Sequence, residues 1–214
     1  MMKILIGTPI HQMKDYCMGR WLQNVAKLQE KTPADLLLMD NSPGLSYVER
    51  VRGYCRKYKI KNYKIEHLDF NQGMSVDKKR DRIEKAEEII GQKALSGEYD
   101  CWFSWECDQI IPVNALDKLT KLMNASKTMI VTHNSWFRGR TNAYLADFGV
   151  ALINKKCLKK FGPLLRFIAS KDYSTMTMER KLGDEGWFKK RVLRNGGNYM
   201  DVFGVIGPIC HLDR

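Results

Sequence analysis

The order of apolar and amphipathic segments is the feature that most limits what this chain can fold into. The predicted strands are Lys3 to Ile10, Asp35 to Met39, Tyr63 to Phe70, Tyr99 to Ile111 and Thr128 to Asn134. The predicted helices between them are Tyr16 to Gln29, Tyr47 to Tyr58, Val76 to Leu95 and Ala115 to Met123. Alternation of this kind predicts an α/β fold with an open, mostly parallel or mixed sheet flanked by helices. Ligands of such folds bind beyond the carboxyl ends of the strands.

From about Ser135 the pattern loosens. The elements expected there are a helix near Asn154 to Phe161, a loop at Ala169 to Met176, a helix near Glu185 to Arg194 and a last strand near Tyr199 to Val205. The whole chain of 214 residues is within the size of one domain. We therefore expect a single domain over residues 1–214, whose second half shapes the substrate site.

Composition excludes several classes of protein. Forty-four per cent hydrophobic and 28 per cent charged residues are ordinary for a globular domain, which excludes a disordered chain. No apolar run approaches the roughly 18 residues of a membrane span, so we expect neither a membrane span nor a signal peptide. The six cysteines are scattered without a C-x-x-C pair, which predicts free thiols in a reducing compartment and a cytoplasmic protein.

The net charge of +12 favours an anionic partner: nucleic acid, an anionic membrane surface or a phosphate-bearing small molecule. Two phosphate-binding motifs are absent from the sequence, G-x-G-x-x-G and G-x-x-x-x-G-K-[ST]. A dinucleotide dehydrogenase and a P-loop NTPase are therefore poorly supported.

Glu106 and Asp108 stand two positions apart near the end of the strand that begins at Tyr99. Residues at this spacing share one face of a strand, so both carboxylates can converge if the strand runs that far. A divalent cation relieves the repulsion between two such acids, and Mg²⁺ and Mn²⁺ often bridge carboxylates to phosphates. The alternative is a solvated strand-end acid beside a capping turn.

Two further positions are candidates for contacts to a nucleotide. Asp40 ends the second strand, where it could accept hydrogen bonds from a ribose or a base; the alternative is a turn cap. Arg80 lies beside Lys78 and Lys79 at the start of a helix, where the cluster could hold phosphate or form a solvated face. Taken singly, Asp184-Glu185 and His211 are only weak indications of a catalytic or metal-binding site.

In combination, these segments resemble those of the GT-A fold glycosyltransferases, which transfer a sugar from a nucleotide sugar. The segments that carry the resemblance are KILIGTPI, LLLMDNS, KKRDRI, YDCWFSWECD, FGVALINKKCLKKFG, GDEGWF and CHL, in this order over nearly the whole chain. More narrowly, the chain is similar to the amino-terminal glycosyltransferase domain of chlorovirus enzymes that build a capsid glycan.

The resemblance implies a role for each motif. Asp108 would bind a Mn²⁺ or Mg²⁺ ion directly, Glu106 would contact the ribose or the metal, and His211 would complete the metal shell. The residues expected to line the nucleotide-sugar pocket are Thr8, Pro9, Asp40, Arg80, Glu106 and Asp108. Asp184 or Glu185 would face the acceptor hydroxyl as general base or as a stabilising carboxylate. Residues 1–112 would then form the nucleotide-sugar-binding half and residues 113–214 the acceptor-binding half.

The function expected from the resemblance is transfer of a hexosyl group, of the glucosyl or rhamnosyl type, from a UDP-sugar to a glycan or glycoprotein acceptor. A viral capsid glycan is one such acceptor, and no nucleic-acid partner is expected. Two alternatives stay open. A sugar-phosphate nucleotidyltransferase needs a glycine-rich basic loop after the first strand, which Gly7-Thr8-Pro9 does not supply. A nucleic-acid-binding protein is suggested by the basic, tyrosine-containing run from Arg50 to Lys64, although this run parses as helix, turn and strand.

Overall fold

The computed structural model describes residues 2–69, 79–133, 148–162 and 183–212. For residues 79–81 and 183–187 it describes the backbone only. The loop predicted at Ala169 to Met176 lies outside these ranges. Within them the chain forms nine strands and six α-helices.

The elements match most of the expected segments. The strands are β1 (Ile4–Ile10), β2 (Asp35–Asp40), β3 (Tyr63–His67), β4 (Cys101–Trp105), β5 (Gln109–Ile110), β6 (Ile130–His133), β7 (Val150–Asn154), β8 (Tyr199–Val202) and β9 (Cys210–His211). The helices are α1 (Asp15–Lys31), α2 (Ser46–Lys57), α3 (Lys79–Ser96), α4 (Ala115–Ser126), α5 (Lys155–Phe161) and α6 (Gly183–Arg194). A short 3₁₀ helix, Gln12–Lys14, joins β1 to α1.

Seven strands form one sheet in the order β3-β2-β1-β4-β7-β6-β8. Strand β7 runs antiparallel to both β4 and β6, and the other neighbouring pairs are parallel. Strand β6 therefore has the direction of β4, so β1, β4 and β6 end at the same edge of the sheet. The predicted mixed sheet flanked by helices is confirmed, whereas β7 was not predicted as a strand.

The strand predicted from Tyr99 to Ile111 is wrong in its second half. Strand β4 ends at Trp105 and a turn follows, closed by a hydrogen bond of 3.2 Å from the Gln109 N–H to the Glu106 carbonyl. The indole N–H of Trp105 also donates to the carbonyl of Gln109, at 2.8 Å. The chain then forms β5, which pairs antiparallel with β9 in a separate two-stranded sheet. The acidic motif thus lies in a turn between two strands, because these two bonds bend the chain there.

Apolar side chains fill both sides of the main sheet. Ile4 and Ile6 of β1 point into the core that includes Trp21 of α1, and Leu5 points into the core that includes Ile90 of α3. Helix α3 approaches β1 so closely that a Cβ placed on Gly7 would lie 2.2 Å from Cγ2 of Ile90. Glycine at this position lets the helix pack directly on the sheet. None of the helices that the structure describes is long and apolar enough to cross a membrane.

Candidate functional site

A pocket of about 480 Å³ lies at the carboxyl ends of β1 and β4, within the roughly 300–1,000 Å³ that ligand sites occupy. It is lined from three directions. Strand β1 and the loop after it contribute one wall, helix α3 a second, and the end of β4 with the following turn a third. The lining residues are Pro9, Ile10, His11, Met13, Lys14, Tyr16, Asn41, Arg82, Ile83, Glu87, Ser104, Trp105, Glu106, Cys107 and Asp108.

The acidic turn and the end of the chain meet beside this pocket. Glu106, Asp108 and His211 each offer a ligand atom, and these atoms lie within 4.8 Å of one another. Strand pairing explains the convergence, because Gln109 of β5 is in register with His211 of β9 and the Leu212 N–H donates to the Asp108 carbonyl at 2.7 Å. His211 Nε2 consequently lies 3.4 Å from Asp108 Oδ2. The sequence places these residues more than 100 positions apart, and the fold brings them together.

Hydrogen bonds hold the acidic turn in place. The side-chain amide of Gln109 donates to Glu106 Oε2 at 2.9 Å. Below the turn, the side chain of Asn24 in α1 bonds both backbone groups of Ile111, accepting from its N–H at 2.9 Å and donating to its carbonyl at 3.0 Å. The turn that carries the carboxylates is therefore fixed to α1 as well as to β9.

Lys14 is a site residue that the sequence analysis missed. Its ammonium group donates to Asp108 Oδ2, and the whole Asp108 residue is only 3 per cent exposed. Burial acts to lower the pKa of Lys14, but the hydrogen bond and the negative charge of Asp108 outweigh it, and the pKa is raised. The only signal was its place in the loop after the first strand, and one lysine in a chain with 36 basic residues does not stand out.

The residues present fit a divalent cation. Two carboxylates suit Mg²⁺ and Mn²⁺, whereas an imidazole ligand is more typical of later transition metals, so the mixed set fits Mn²⁺ at least as well as Mg²⁺. The ammonium of Lys14 on the buried carboxylate of Asp108 shows that this point attracts positive charge. Glu106, Asp108 and His211 are the residues that could hold such an ion.

The side chains of Thr8 and Asp40 are used inside the protein. Thr8 is fully buried, and its hydroxyl donates to the Trp105 carbonyl at 2.8 Å, which joins the ends of β1 and β4. One carboxylate oxygen of Asp40 accepts from the Ser42 hydroxyl at 2.6 Å, and the other lies 2.8 Å from His67 Nδ1. This geometry matches the turn cap that was weighed as the alternative for Asp40. Pro9 lines the pocket, and its predicted contact with a nucleotide sugar stays a prediction.

Helix α3 brings Arg82 to the pocket, an arginine that the sequence analysis did not single out. Arg80 lies in its first turn, and its side chain is outside the described residues. Arg82, Ile83 and Glu87 of the same helix line the pocket. Helical periodicity of the KKRDRI segment did not reveal which arginine faces the site, so the predicted role of Arg80 stays a prediction.

The predicted catalytic pair begins α6. Asp184 and Glu185 occupy its first turn, and their side chains lie outside the described residues. The rest of the helix is held on the sheet, because Phe188 is buried and Lys189 forms an ion pair of 2.5 Å with Asp201 of β8. The structure thus describes the anchor of this helix but not the two carboxylates.

Comparison of structures finds proteins similar to this chain, whereas comparison of sequences finds none. No protein-family model and no curated protein matches the sequence. Structure comparison gives a TM-score of 0.66 with the mannosyltransferase PcManGT from Pyrobaculum calidifontis, solved with GDP-Man and Mn²⁺, at 11 per cent identity over 94 per cent of this chain. The chain has the GT-A fold.

Two other GT-A structures support this assignment. TarS of S. aureus gives a TM-score of 0.63 at 14 per cent identity over 95 per cent of this chain and 35 per cent of its own. The galactosyltransferase LgtC, in complex with donor and acceptor sugar analogs, gives 0.56 at 14 per cent identity over 92 per cent of this chain and 73 per cent of its own. The chain spans 55 per cent of PcManGT and about a third of full TarS, so it corresponds to one part of these longer proteins. Identities this low establish a shared GT-A fold and no more.

Proposed function

We propose that this chain is a metal-dependent glycosyltransferase that moves a hexosyl group from a UDP-sugar to a glycan acceptor. The observation that carries the proposal is the convergence of Glu106, Asp108 and His211 beside a pocket at the carboxyl edge of a GT-A sheet. This edge is where α/β folds bind their ligands. Structures with the same fold contain nucleotide ligands: UDP-GlcNAc or UDP in TarS, and GDP-Man with Mn²⁺ in PcManGT.

The pocket offers what a nucleoside diphosphate needs. Met13, Tyr16 and Ile83 provide apolar surface for a base or a sugar, and all three are partly exposed. Lys14 and Arg82 provide positive charge in the same pocket for phosphate oxygens. A divalent cation bound by Glu106, Asp108 and His211 would supply further positive charge to the diphosphate as it leaves.

The acceptor side of the proposal rests on α6. Asp184 or Glu185 would face the acceptor hydroxyl and either take its proton or stabilise positive charge on the sugar. In support, the helix that carries them is packed on the sheet through Phe188 and Val192. Residues 113–214 are proposed to form the acceptor half, and they also contribute His211 to the metal site.

The finer identity of the reaction is proposed from the sequence resemblance. The similarity of the sequence to the amino-terminal domain of chlorovirus glycosyltransferases supports a virus-encoded protein acting in the host cytoplasm on a capsid glycan. It favours a glucosyl or rhamnosyl group as the one transferred. Candidate donors for a first assay are therefore UDP-glucose and UDP-rhamnose.

The experiment is a thermal-shift panel of UDP, GDP, CDP and ADP, each with Mn²⁺ or with EDTA. A ligand at 100 times its Kd stabilises a native protein by about 2.7 kcal/mol, which for a chain of this size is a Tm increase of about 5–11 °C. We expect this increase with UDP and Mn²⁺ and its loss with EDTA. Asp108→Asn should abolish it, whereas Asp117→Asn, at an exposed surface ion pair, should not.

The same preparation separates the alternatives. Formation of free sugar or of a glycosylated acceptor in the presence of UDP-glucose supports a glycosyltransferase. Release of pyrophosphate from a mixture of UTP and a sugar 1-phosphate indicates a nucleotidyltransferase. Binding of oligonucleotides that persists at moderate salt would favour a nucleic-acid-binding protein. A panel in which no nucleotide gives a metal-dependent shift would refute the proposal.

A further inference from the structure

We propose that Lys14 and the divalent cation are alternative partners of Asp108, and that the displaced Lys14 ammonium then binds a phosphate of the nucleotide-sugar donor. This inference rests on the proposed function. It assigns to Lys14 two successive roles, as counter-ion of Asp108 in the metal-free protein and as phosphate ligand in the loaded protein.

Asp108 is costly to leave without a cation. Its side chain is 4 per cent exposed, and a buried carboxylate without a partner carries a large desolvation penalty. Lys14 donates to its Oδ2 atom, and His211 Nε2 lies 3.4 Å from that same atom. Lys14 therefore bonds the Asp108 oxygen that lies next to His211, another of the three candidate metal ligands.

One carboxylate oxygen does not hold both cations. Mg²⁺ binds its oxygen ligands at about 2.0–2.1 Å, and an ammonium group bonded to the same oxygen would lie against the ion. Like charges at that separation repel strongly in a site where Asp108 is almost excluded from water. An ion bound through Oδ2, the oxygen that lies 3.4 Å from His211 Nε2, would therefore move the Lys14 ammonium off that atom.

The displaced ammonium of Lys14 would stay within the pocket. The backbone of Lys14 is fixed, because its N–H donates to the His11 carbonyl at 2.8 Å and its carbonyl accepts from the Cys17 thiol at 2.9 Å. Only the side chain can move, and one third of it is already exposed in the pocket. The pocket is where the donor diphosphate would lie, and an ammonium group is a common ligand of phosphate.

Two consequences distinguish this role from that of a simple structural lysine. Because Lys14 competes with the ion, the apparent metal affinity of the protein is reduced by the fraction of molecules in which Asp108 is free. Because Lys14 becomes available only when the ion is bound, the ion strengthens donor binding beyond its own contact with the diphosphate. Metal and nucleotide are then positively coupled through this side chain.

The test compares Lys14→Met and Lys14→Arg with the native protein and with Lys121→Met, which removes a lysine from an exposed surface pair with Asp117. Mn²⁺ affinity is measured without nucleotide by the paramagnetic resonance of free Mn²⁺. We expect Lys14→Met to bind Mn²⁺ roughly tenfold more tightly than the native protein, as expected if Asp108 is free in about a tenth of native molecules. Lys121→Met should bind Mn²⁺ like the native protein.

UDP affinity is then measured by calorimetry at saturating Mn²⁺ and again in EDTA. With Mn²⁺, Lys14→Met should bind UDP roughly tenfold more weakly than the native protein and Lys14→Arg within about threefold, a tenfold change being about 1.4 kcal/mol. In EDTA the native protein and Lys14→Met should bind UDP alike. Lys14→Arg is also the control for misfolding, because it keeps a cation beside Asp108.

Unchanged Mn²⁺ affinity in Lys14→Met would overturn the competition, and unchanged UDP affinity at saturating Mn²⁺ would overturn the phosphate contact. Failure of the proposed function gives a different result. A native protein that binds Mn²⁺ but no nucleoside diphosphate would refute the donor assignment and the phosphate contact with it. The Mn²⁺ comparison between Lys14→Met and the native protein would still decide the competition.

Discussion

Replacing Asn24 by leucine tests whether the clamp beneath the acidic turn holds the site in place. Asn24 is 7 per cent exposed and makes hydrogen bonds of 2.9 and 3.0 Å with the N–H and the carbonyl of Ile111. Leucine has a similar volume but no polar atoms, so both backbone groups would lose their partner. Each buried polar group left unpaired costs about 1–3 kcal/mol, and the added apolar contact returns about 1 kcal/mol.

We therefore expect Asn24→Leu to lower the free energy of unfolding by about 1–5 kcal/mol, which corresponds to a Tm decrease of roughly 2–20 °C. Urea unfolding followed by tryptophan fluorescence measures the change in free energy. Because the clamp fixes the segment that follows Asp108, Mn²⁺ affinity should also fall, by several-fold.

Gln29→Leu is the matched control. Gln29 is 8 per cent exposed and bonds the Ala34 and Lys61 carbonyls at 2.8 and 2.9 Å, at the opposite edge of the sheet from the site. It should lower stability to a similar degree and leave Mn²⁺ affinity unchanged. A stability loss below about 1 kcal/mol in Asn24→Leu would refute the cost assigned to the unpaired backbone groups. Equal losses of Mn²⁺ affinity in the two variants would refute the link between clamp and site.

Three other outcomes are expected. Gly7→Ala should lower stability by about 1–3 kcal/mol in urea unfolding, because its Cβ would lie 2.2 Å from Ile90 Cγ2, whereas Gly53→Ala meets open space and should not lower it. Tyr47→Phe should keep stability or raise it by about 1 kcal/mol, because the buried hydroxyl has no hydrogen-bond partner in the part of the chain that the structure describes; a clear loss would contradict this. A thiol reagent should modify one cysteine of the native chain, the exposed Cys210, and all six cysteines after unfolding. The other five are buried, and burial raises the pKa of three of them to about 12. A second cysteine that reacts rapidly in the native chain would contradict this.

The first half of the fold could be predicted because its segments carry their own signals. The run KILIGTPI is apolar and ends in a Gly-Thr-Pro turn, and α1 shows Trp21, Leu22, Val25 and Leu28 at helical spacing, all of them buried in the structure. Strand β7 was missed because a short apolar segment such as VALIN is compatible with a strand or with a buried helix. Its antiparallel pairing with β4 and β6 is a tertiary property that no local pattern records.

The two-residue strands β5 and β9 show why the site was only partly predictable. Each is too short for a periodic pattern, and they exist because the acidic turn and the end of the chain pair with each other. The grouping of Glu106, Asp108 and His211 was expected from the resemblance, and the expected strand geometry for the two acids was wrong. The carboxylates converge through the turn after Trp105 instead of along one face of a strand.

The role of Lys14 could not be predicted either, because it depends on the tertiary contacts of Asp108. A lysine in a basic sequence is by default a solvated side chain, and its meaning here depends on the burial of Asp108. Asp108 is held in this buried position by the β5–β9 pairing and by the clamp of Asn24 on Ile111. A carboxylate so enclosed carries a large desolvation penalty unless a cation lies beside it. The fold that buries Asp108 therefore favours a cation beside it, and Lys14 supplies that cation in this structure.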